Sequence, residues 1–233
     1  MNEELEFETY LSISPNKFGI YLLDVNNFKN LYKQEIILKG ISNSINLNDL
    51  KKFLDENIFK IEKLLGRFIE NIFLIIENEK IFNLQIGIRK KKYNASNNKQ
   101  YVENSLTEAK DLFNENYQHE NIMHIIIKKY FIDGESYSFL ENNLKCDHLN
   151  LEIEFKSISN SFIKELDKVL ENYQIKIIRF LDGNYIQNFF EENFELSEMA
   201  HKIKIGCNEN EVTILPKNPR KLGFFEKFFQ LFS

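Results

Sequence analysis

The first quarter of the chain constrains its fold more than any other stretch. Residues 5–13 alternate in polarity, which is typical of a β-strand, and residues 18–23 form a second apolar run. Ser14-Pro15-Asn16-Lys17 between the two runs has the composition of a turn. The pattern therefore predicts a β-hairpin whose first strand presents these side chains on one side: Leu5, Phe7, Thr9, Leu11 and Ile13.

A long amphipathic helix and further strands follow the hairpin. Residues 35–38 supply a third strand, and Asn46 or Asn48 is suited to cap a helix over 47–66 whose apolar residues recur at helical spacing. Residues 72–76 then form an apolar strand. Three strands, a helix and a strand that can rejoin the sheet predict an α/β domain.

A second pattern interrupts this domain between residues 81 and 158. It consists of strand 81–88, helix 100–116 and strands 122–132 and 149–158. The first pattern then resumes with a helix capped by Ser159, strand 175–181 and helix 183–194. We therefore predict an inserted strand-helix-strand-strand module at 81–158. Strands 72–76 and 175–181 are then expected to share one sheet.

Composition excludes several classes of protein. The formal net charge of −5 argues against a nucleic-acid binder, and the basic run 89–93 lacks the interleaved aromatic residues of such a site, so we interpret it as a solvated strand end. Two cysteines make no disulfide framework, and the acidic start does not resemble a signal peptide, which predicts a cytoplasmic location. No run reaches the ~20 apolar residues of a spanning helix.

The C-terminal residues 220–233 predict an interfacial membrane helix. At about 100° per residue the apolar side chains cover one half of the cylinder, and the two prolines and three cations of 216–221 precede it. The alternative is a helix docked on the protein's own core. The predicted membrane-binding residues are Arg220, Lys221, Leu222, Phe224, Phe225, Lys227, Phe228, Phe229, Leu231 and Phe232.

Candidate chemical sites are weak. Cys146 and His148 could join His201 and Cys207 around zinc, but they lack the two close pairs that structural zinc sites usually have, so no metal site is predicted. His124 lies in an apolar strand and is interpreted as a core or inter-strand histidine. Without a Gly-x-Ser-x-Gly elbow or another catalytic constellation, we predict that the protein is not an enzyme.

The order of these elements resembles the N-terminal half of the FtsA cell-division family. The stretches that carry the resemblance are 12–18, similar to the family's first phosphate loop, 102–110 and 122–134, similar to its inserted module, and 222–232, similar to its membrane-targeting helix. The resemblance implies an actin-like, ribonuclease H-like subdomain (1–80 and 159–200). It also implies an inserted module of the SHS2 type (81–158), a linker (201–219) and an amphipathic helix (220–233).

The chain departs from that family where nucleotide would bind. Ser12 stands where the family has Asp, Ser14 where it has Gly, and Pro15 removes a backbone donor. The second phosphate loop and the adenosine-binding subdomains have no counterpart here. We therefore expect no nucleotide and no other cofactor, and contact with the tubulin-like FtsZ polymer is in doubt.

The sequence thus predicts a non-catalytic FtsA-like protein that is peripheral on the inner membrane. It would link an anionic inner-membrane surface to division proteins by protein contact, with self-association left open. The alternative is a soluble, actin-like-derived assembly component of a pilus or secretion system, with edge strands making the contacts and the C-terminal helix docked on the protein. A residual nucleotide-binding enzyme ranks last.

Overall fold

The computed structural model describes residues 6–38, 44–78, 81–91, 98–140, 146–190 and 194–212. Within these residues the chain forms two β-sheets and five helices, so the predicted α/β fold class is confirmed. The elements in chain order are β1 (Phe7–Ile13), β2 (Lys17–Asp24), β3 (Lys29–Ile37), α1 (Leu47–Leu65), β4 (Asn71–Ile76), β5 (Phe82–Lys91), α2 (Asn98–Asn116), β6 (Glu120–Ile132), β7 (Glu135–Tyr137), β8 (His148–Ser159), α3 (Asn160–Glu171), β9 (Lys176–Asp182), α4 (Gly183–Phe189) and α5 (Leu196–Lys204).

The first sheet has the strand order β3-β2-β1-β4-β9. β1 and β2 form the predicted antiparallel hairpin, whereas β1, β4 and β9 run parallel to one another. The register places Leu74 opposite Phe180, so the two predicted strands on either side of the insert do share one sheet. The boundaries of the predicted inserted module, 81–158, stay predictions.

Helices cover both faces of this sheet. On one face α1 and α3 pack against the strands. Of the two predicted cap candidates, Asn46 caps α1 by accepting hydrogen bonds from the N–H groups of Asn48 and Asp49 at 3.0 and 3.3 Å. On the other face α4 and α5 cover Tyr10, Tyr21 and Leu181. The parallel strands are therefore buried in a three-layer core, which explains their almost continuous apolar sequences.

The second sheet has the order β5-β8-β6-β7 and carries α2 on one face. Phe113 of α2 stacks on Phe155 of β8 with 5.0 Å between ring centroids. The short strand β7 was not predicted from the sequence, because three polar residues after the Asp133-Gly134 turn carry no apolar period. Arg89 of the basic run lies within β5 and pairs with β8, in agreement with the strand-end interpretation.

Three sequence predictions need correction. Helix α4 ends at Phe189 rather than near 194, and β3 begins at Lys29 rather than 35. The predicted linker 201–219 begins instead as the last turn of α5, and the chain stays packed to residue 212. Apolar density failed as a guide here because the buried face of α5 includes Ser197 and His201 beside Met199, Ala200 and Ile203.

Candidate functional site

Ligands of parallel α/β sheets bind beyond the carboxyl ends of the strands. In this chain those ends belong to β1, β4 and β9, and they bring together Ser14, Glu77 and Asp182. Glu77 is tied to β1 by its N–H, which donates to the carbonyl of Ile13 at 3.0 Å. The chemistry of these three residues therefore decides whether this edge of the sheet can hold a ligand.

The turn after β1 uses its own hydrogen-bond donors internally. The Ser14 N–H donates to the Lys17 carbonyl at 2.9 Å, and the Lys17 N–H donates to Ser14 Oγ at 2.9 Å. Pro15 has no N–H. A phosphate loop needs several backbone N–H groups that point at the ligand, and in this turn those of Ser14 and Lys17 are already engaged and Pro15 has none.

Asp182 at the end of β9 is also fully engaged. Its carboxylate caps α4 by accepting from the N–H groups of Asn184 and Tyr185 at 2.9 and 3.2 Å. Its second oxygen lies 3.0 Å from Nζ of Lys156, which comes from β8 of the other sheet, and the Asp182 side chain is only 3% exposed. The carboxylate that could have held a metal beside a nucleotide thus joins the two sheets instead.

Glu77 and Gly183 close the space between β4 and β9. A Cβ atom at Gly183 would lie 2.4 Å from Cγ of Glu77 and 3.1 Å from Cγ2 of Ile75. Only a glycine allows this approach, so the gap between the two strand ends is filled by protein atoms. This contact could not be predicted from the sequence, because Gly183 and Glu77 are distant in the chain.

A cleft of about 490 Å³ lies beside this edge, but its two lysines are already paired. Lys17 contacts Glu35 at 2.6 Å, and Lys33 contacts Glu195 at 2.6 Å. Burial raises the pKa of the Glu35 carboxyl, but the hydrogen bonds and charge of its neighbours outweigh burial and leave the pKa lowered. The paired lysines make this cleft a poor site for phosphate.

His124 of β6 connects the second sheet to the end of β9. Its Nε2 accepts a hydrogen bond from the Asp182 N–H at 2.9 Å, and its Nδ1 lies 2.8 Å from Oε1 of Glu211. Because Nε2 accepts, the proton resides on Nδ1 and the ring is neutral. The prediction of a satisfied, buried histidine is confirmed, since the residue is 2% exposed.

Glu211 completes a buried polar network that we term the inter-sheet junction, formed by His124, Lys156, Arg179, Asp182, Tyr185 and Glu211. Besides the His124 contact, Glu211 accepts from Arg179 at 2.9 Å and from the Tyr185 hydroxyl at 2.9 Å. Burial raises the pKa of the Glu211 carboxyl, but these partners outweigh it and the net pKa is lowered. Burial also raises the pKa of the Tyr185 hydroxyl.

The segment that carries Glu211 is held to β6 by backbone bonds. The Ile127 N–H donates to the Asn210 carbonyl and the Val212 N–H donates to the Ile125 carbonyl, both at 2.9 Å. Residues 210–212 therefore contact both sheets, because their backbone bonds to β6 and the Glu211 side chain pairs with Arg179 of β9. Sequence reasoning missed this arrangement because His124 and Glu211 are 87 positions apart.

The other residues singled out from the sequence are dispersed. His201 pairs with Glu8 at 2.8 Å, whereas His148 lies 3.8 Å from Asp133. Cys146 is buried and Cys207 is exposed. The ten predicted membrane-binding residues of 220–233 lie outside the described residues. No helix in the described part of the chain is both long and apolar enough to cross a membrane.

Comparison with known proteins gives structural neighbours only. No protein-family model and no curated protein matches the chain. A Bacteroides thetaiotaomicron protein described as having an actin-like ATPase fold and unknown function is 15% identical, with 80% of this chain and 56% of that chain covered and a TM-score of 0.36.

Two further structures come from a pilus complex and a secretion system. The PilM-PilN type IV pilus biogenesis complex is 6% identical over 78% of this chain and 49% of that chain, with a TM-score of 0.42. The cytoplasmic domain of EpsL, an inner-membrane component of the type II secretion system of Vibrio cholerae, is 7% identical over 78% and 57%, with a TM-score of 0.34. The chain spans about half the length of these structures, and at such identities and TM-scores the likeness assigns it neither a family nor a function.

Proposed function

We propose that this protein is a non-catalytic assembly component that works by protein–protein contact at the cytoplasmic face of a membrane. Pilus or secretion assembly is the process to test first, and FtsA-like cell division the second. The observation that carries the proposal is the contrast between two places in the first sheet. The strand ends where a ligand would bind are filled by the protein itself, whereas the edge strand β3 has only one partner strand in the described part of the chain.

β3 offers a site for strand pairing. It is nine residues long, and among the described strands it pairs only with β2. A bulge at Leu31 and the charged Lys29 and Lys33 blunt its first half, as is usual for protected edges. Its second half instead exposes Ile36 and Ile37, at 42% and 79%, on the side where no second described strand pairs with β3. Such an edge can add a strand from a partner or from a second copy.

Capture of partners tests the role of this edge. We expect Ile36→Lys with Ile37→Lys to abolish retention of pilus, secretion or division proteins by the tagged full chain, because charged residues oppose edge pairing. Phe139→Lys, at another apolar residue that is 66% exposed, is the matched control. Equal retention by both variants would remove β3 from the proposal, and the identity of the retained proteins decides the process.

The non-catalytic part of the proposal rests on the turn at Ser14 and on the engaged carboxylate of Asp182. We expect isothermal titration of the full chain with ATP and magnesium to give no binding heat. The same titration with a nucleotide-binding actin-like protein is the positive control. Micromolar affinity in this experiment would overturn the non-catalytic assignment and restore the enzyme hypothesis.

A further inference from the structure

The backbone of β3 presents hydrogen-bonding groups on the side that faces away from β2. The Leu38 N–H donates to the Asn16 carbonyl at 2.8 Å, so these two residues form a hydrogen-bonded pair just beyond the β2–β3 ladder. Hydrogen-bonded pairs alternate along antiparallel strands, so the even-numbered positions of β3 from 32 onward also bond to β2. The backbone groups of Lys33 and Glu35 therefore point outward, to the side where no second described strand pairs with β3.

The side chains of this half of β3 divide between the two faces of the sheet. Tyr32 lies on the face covered by α1, where its hydroxyl donates to Oδ1 of Asn57 at 2.5 Å, and alternation places Ile36 on the same face. Lys33 lies on the opposite face, where it pairs with Glu195 at the start of α5 at 2.6 Å. Both faces and the backbone register of the edge are thus fixed by contacts within the chain.

Charge selects one register when β3 is set against a second, antiparallel copy of itself. A two-fold axis at Lys33 or at Glu35 would place like charges directly opposite each other, which is unfavourable. An axis nearer either end would pair the bulge at Leu31 or run beyond Ile37. An axis at Gln34 instead sets Lys33 of each copy opposite Glu35 of the other. Both residues have outward backbone groups, so each such pair exchanges two backbone hydrogen bonds.

The same register brings the exposed apolar side chains of the edge together. Ile36 of each copy, 42% exposed, lies opposite Tyr32 of the other in a non-hydrogen-bonded pair, where side chains approach most closely. Aromatic and β-branched residues paired in this way stabilise sheets. Ile37, 79% exposed, reaches Leu31 of the second copy, 51% exposed, at each end of the ladder. The second copy therefore covers the apolar residues of β3 with apolar residues of its own.

The charged pairs determine the register more than the strength of this contact. In the single chain Glu35 already pairs with Lys17 and Lys33 with Glu195, both at 2.6 Å, and these side chains are between 30% and 50% exposed. A further ion pair between such exposed groups contributes little. Like charges in the alternative registers would still oppose pairing. Affinity then comes from the backbone bonds and the apolar contacts.

We propose that β3 pairs with β3 of a second copy of this chain, antiparallel and about a two-fold axis at Gln34. The two five-stranded sheets then form one continuous sheet. A strand from another protein would not need an edge that is complementary to itself, whereas β3 has such an edge. The contact uses the same surface on both copies, so it closes as a dimer and does not propagate. This inference rests on the proposed function, because it names a second copy as the strand that β3 adds.

Mixing two charge variants tests the position of the axis. Gln34 is exposed, and on the axis it faces itself in a close, non-hydrogen-bonded pair. In sedimentation equilibrium of the full chain, Gln34→Glu alone and Gln34→Lys alone should each self-associate about tenfold more weakly than the wild type, because each sets like charges opposite. An equimolar mixture of the two should associate as the wild type does. Gln85→Glu and Gln85→Lys, at an exposed position of the outer strand β5 of the second sheet, are the matched controls and should have no effect.

A disulfide across the axis gives a second measurement. The Cα atoms of a non-hydrogen-bonded pair lie about 4.5 Å apart, which a disulfide can bridge. In a Cys207→Ser background, where the remaining natural thiol of Cys146 is buried, Gln34→Cys should form a covalent dimer on mild oxidation with diamide. Gln85→Cys in the same background is the control and should stay monomeric. Thermal unfolding of the Gln34 variants should match that of the wild type, because this side chain is exposed.

The outcomes separate this inference from the proposed function. Because the shared ladder is short, we expect a dissociation constant of about 1–100 μM, and a wild type that stays monomeric at several times this concentration would overturn the self-pairing. A wild-type dimer whose Gln34 variants do not associate on mixing would overturn it as well, since the contact would lie elsewhere. Neither measurement contains another protein, so partner retention is judged only by the capture experiment. Self-association as expected without any retained pilus, secretion or division protein would support the pairing and remove the proposed function.

Discussion

Removing the Glu211 side chain should destabilise the protein more than any surface change. The side chain is 7% exposed, and it accepts hydrogen bonds from His124, Arg179 and Tyr185. Glu211→Ala leaves the Arg179 charge and two buried donors without their acceptor. Breaking a buried ion pair in this way costs about 3–5 kcal/mol of unfolding free energy.

Differential scanning calorimetry measures this effect directly. At roughly 2–4 °C per kcal/mol for a chain of this size, the Tm of Glu211→Ala should fall by about 6–20 °C. Glu209→Ala, in the same segment but exposed, is the control and should change stability by less than ~0.5 kcal/mol. Equal Tm values for the two variants would refute the inter-sheet junction as a stabilising network.

Acid titration gives a second measurement of the same residue. The folded pKa of Glu211 is lower than its ordinary value of 4.5, so its stabilising contribution is complete above pH 4.5 and is lost as the pH falls through the folded pKa. The unfolding free energies of the wild type and Glu211→Gln should therefore converge in acid. Glu8 and Glu35 titrate with the same sign in both proteins, so the difference reports Glu211.

Three further predictions concern other parts of the chain. Gly183→Ala should destabilise the protein by about 1–3 kcal/mol in urea unfolding, because the new Cβ would lie 2.4 Å from Glu77 Cγ. Gly87→Ala is the control and should be near neutral, because a Cβ at Gly87 would have no heavy atom within 4 Å. Phe225→Glu with Phe228→Glu should release the protein from anionic vesicles at an unchanged Tm. If the wild type never binds vesicles and the double variant loses its thermal transition, the C-terminal helix belongs to the core instead. Tyr32→Phe removes the hydroxyl that donates to Asn57 Oδ1 at 2.5 Å and should cost about 1 kcal/mol by urea unfolding, and no loss at all would argue against that bond.

The sequence by itself determined the elements that have a strong apolar period. The hairpin, a cap of α1 at Asn46 or Asn48 and the placement of β4 and β9 in one sheet followed from alternation, capping chemistry and chain order. Sequence patterns did not predict the elements whose buried face contains polar residues or whose residues are only partly buried. α5 buries Ser197 and His201, and β3 is an edge strand whose residues are largely exposed, so neither shows a clear apolar stripe.

Only the tertiary structure decided what happens at the strand ends. Lys156, Asp182 and Glu211 come from three separate stretches, and no spacing in the sequence relates them. The same holds for the gap closed by Gly183 and Glu77. The absence of closely spaced glycines was readable residue by residue, because backbone donors are local. The junction between the two sheets at the strand ends was not, because it depends on which side chains the packing brings together.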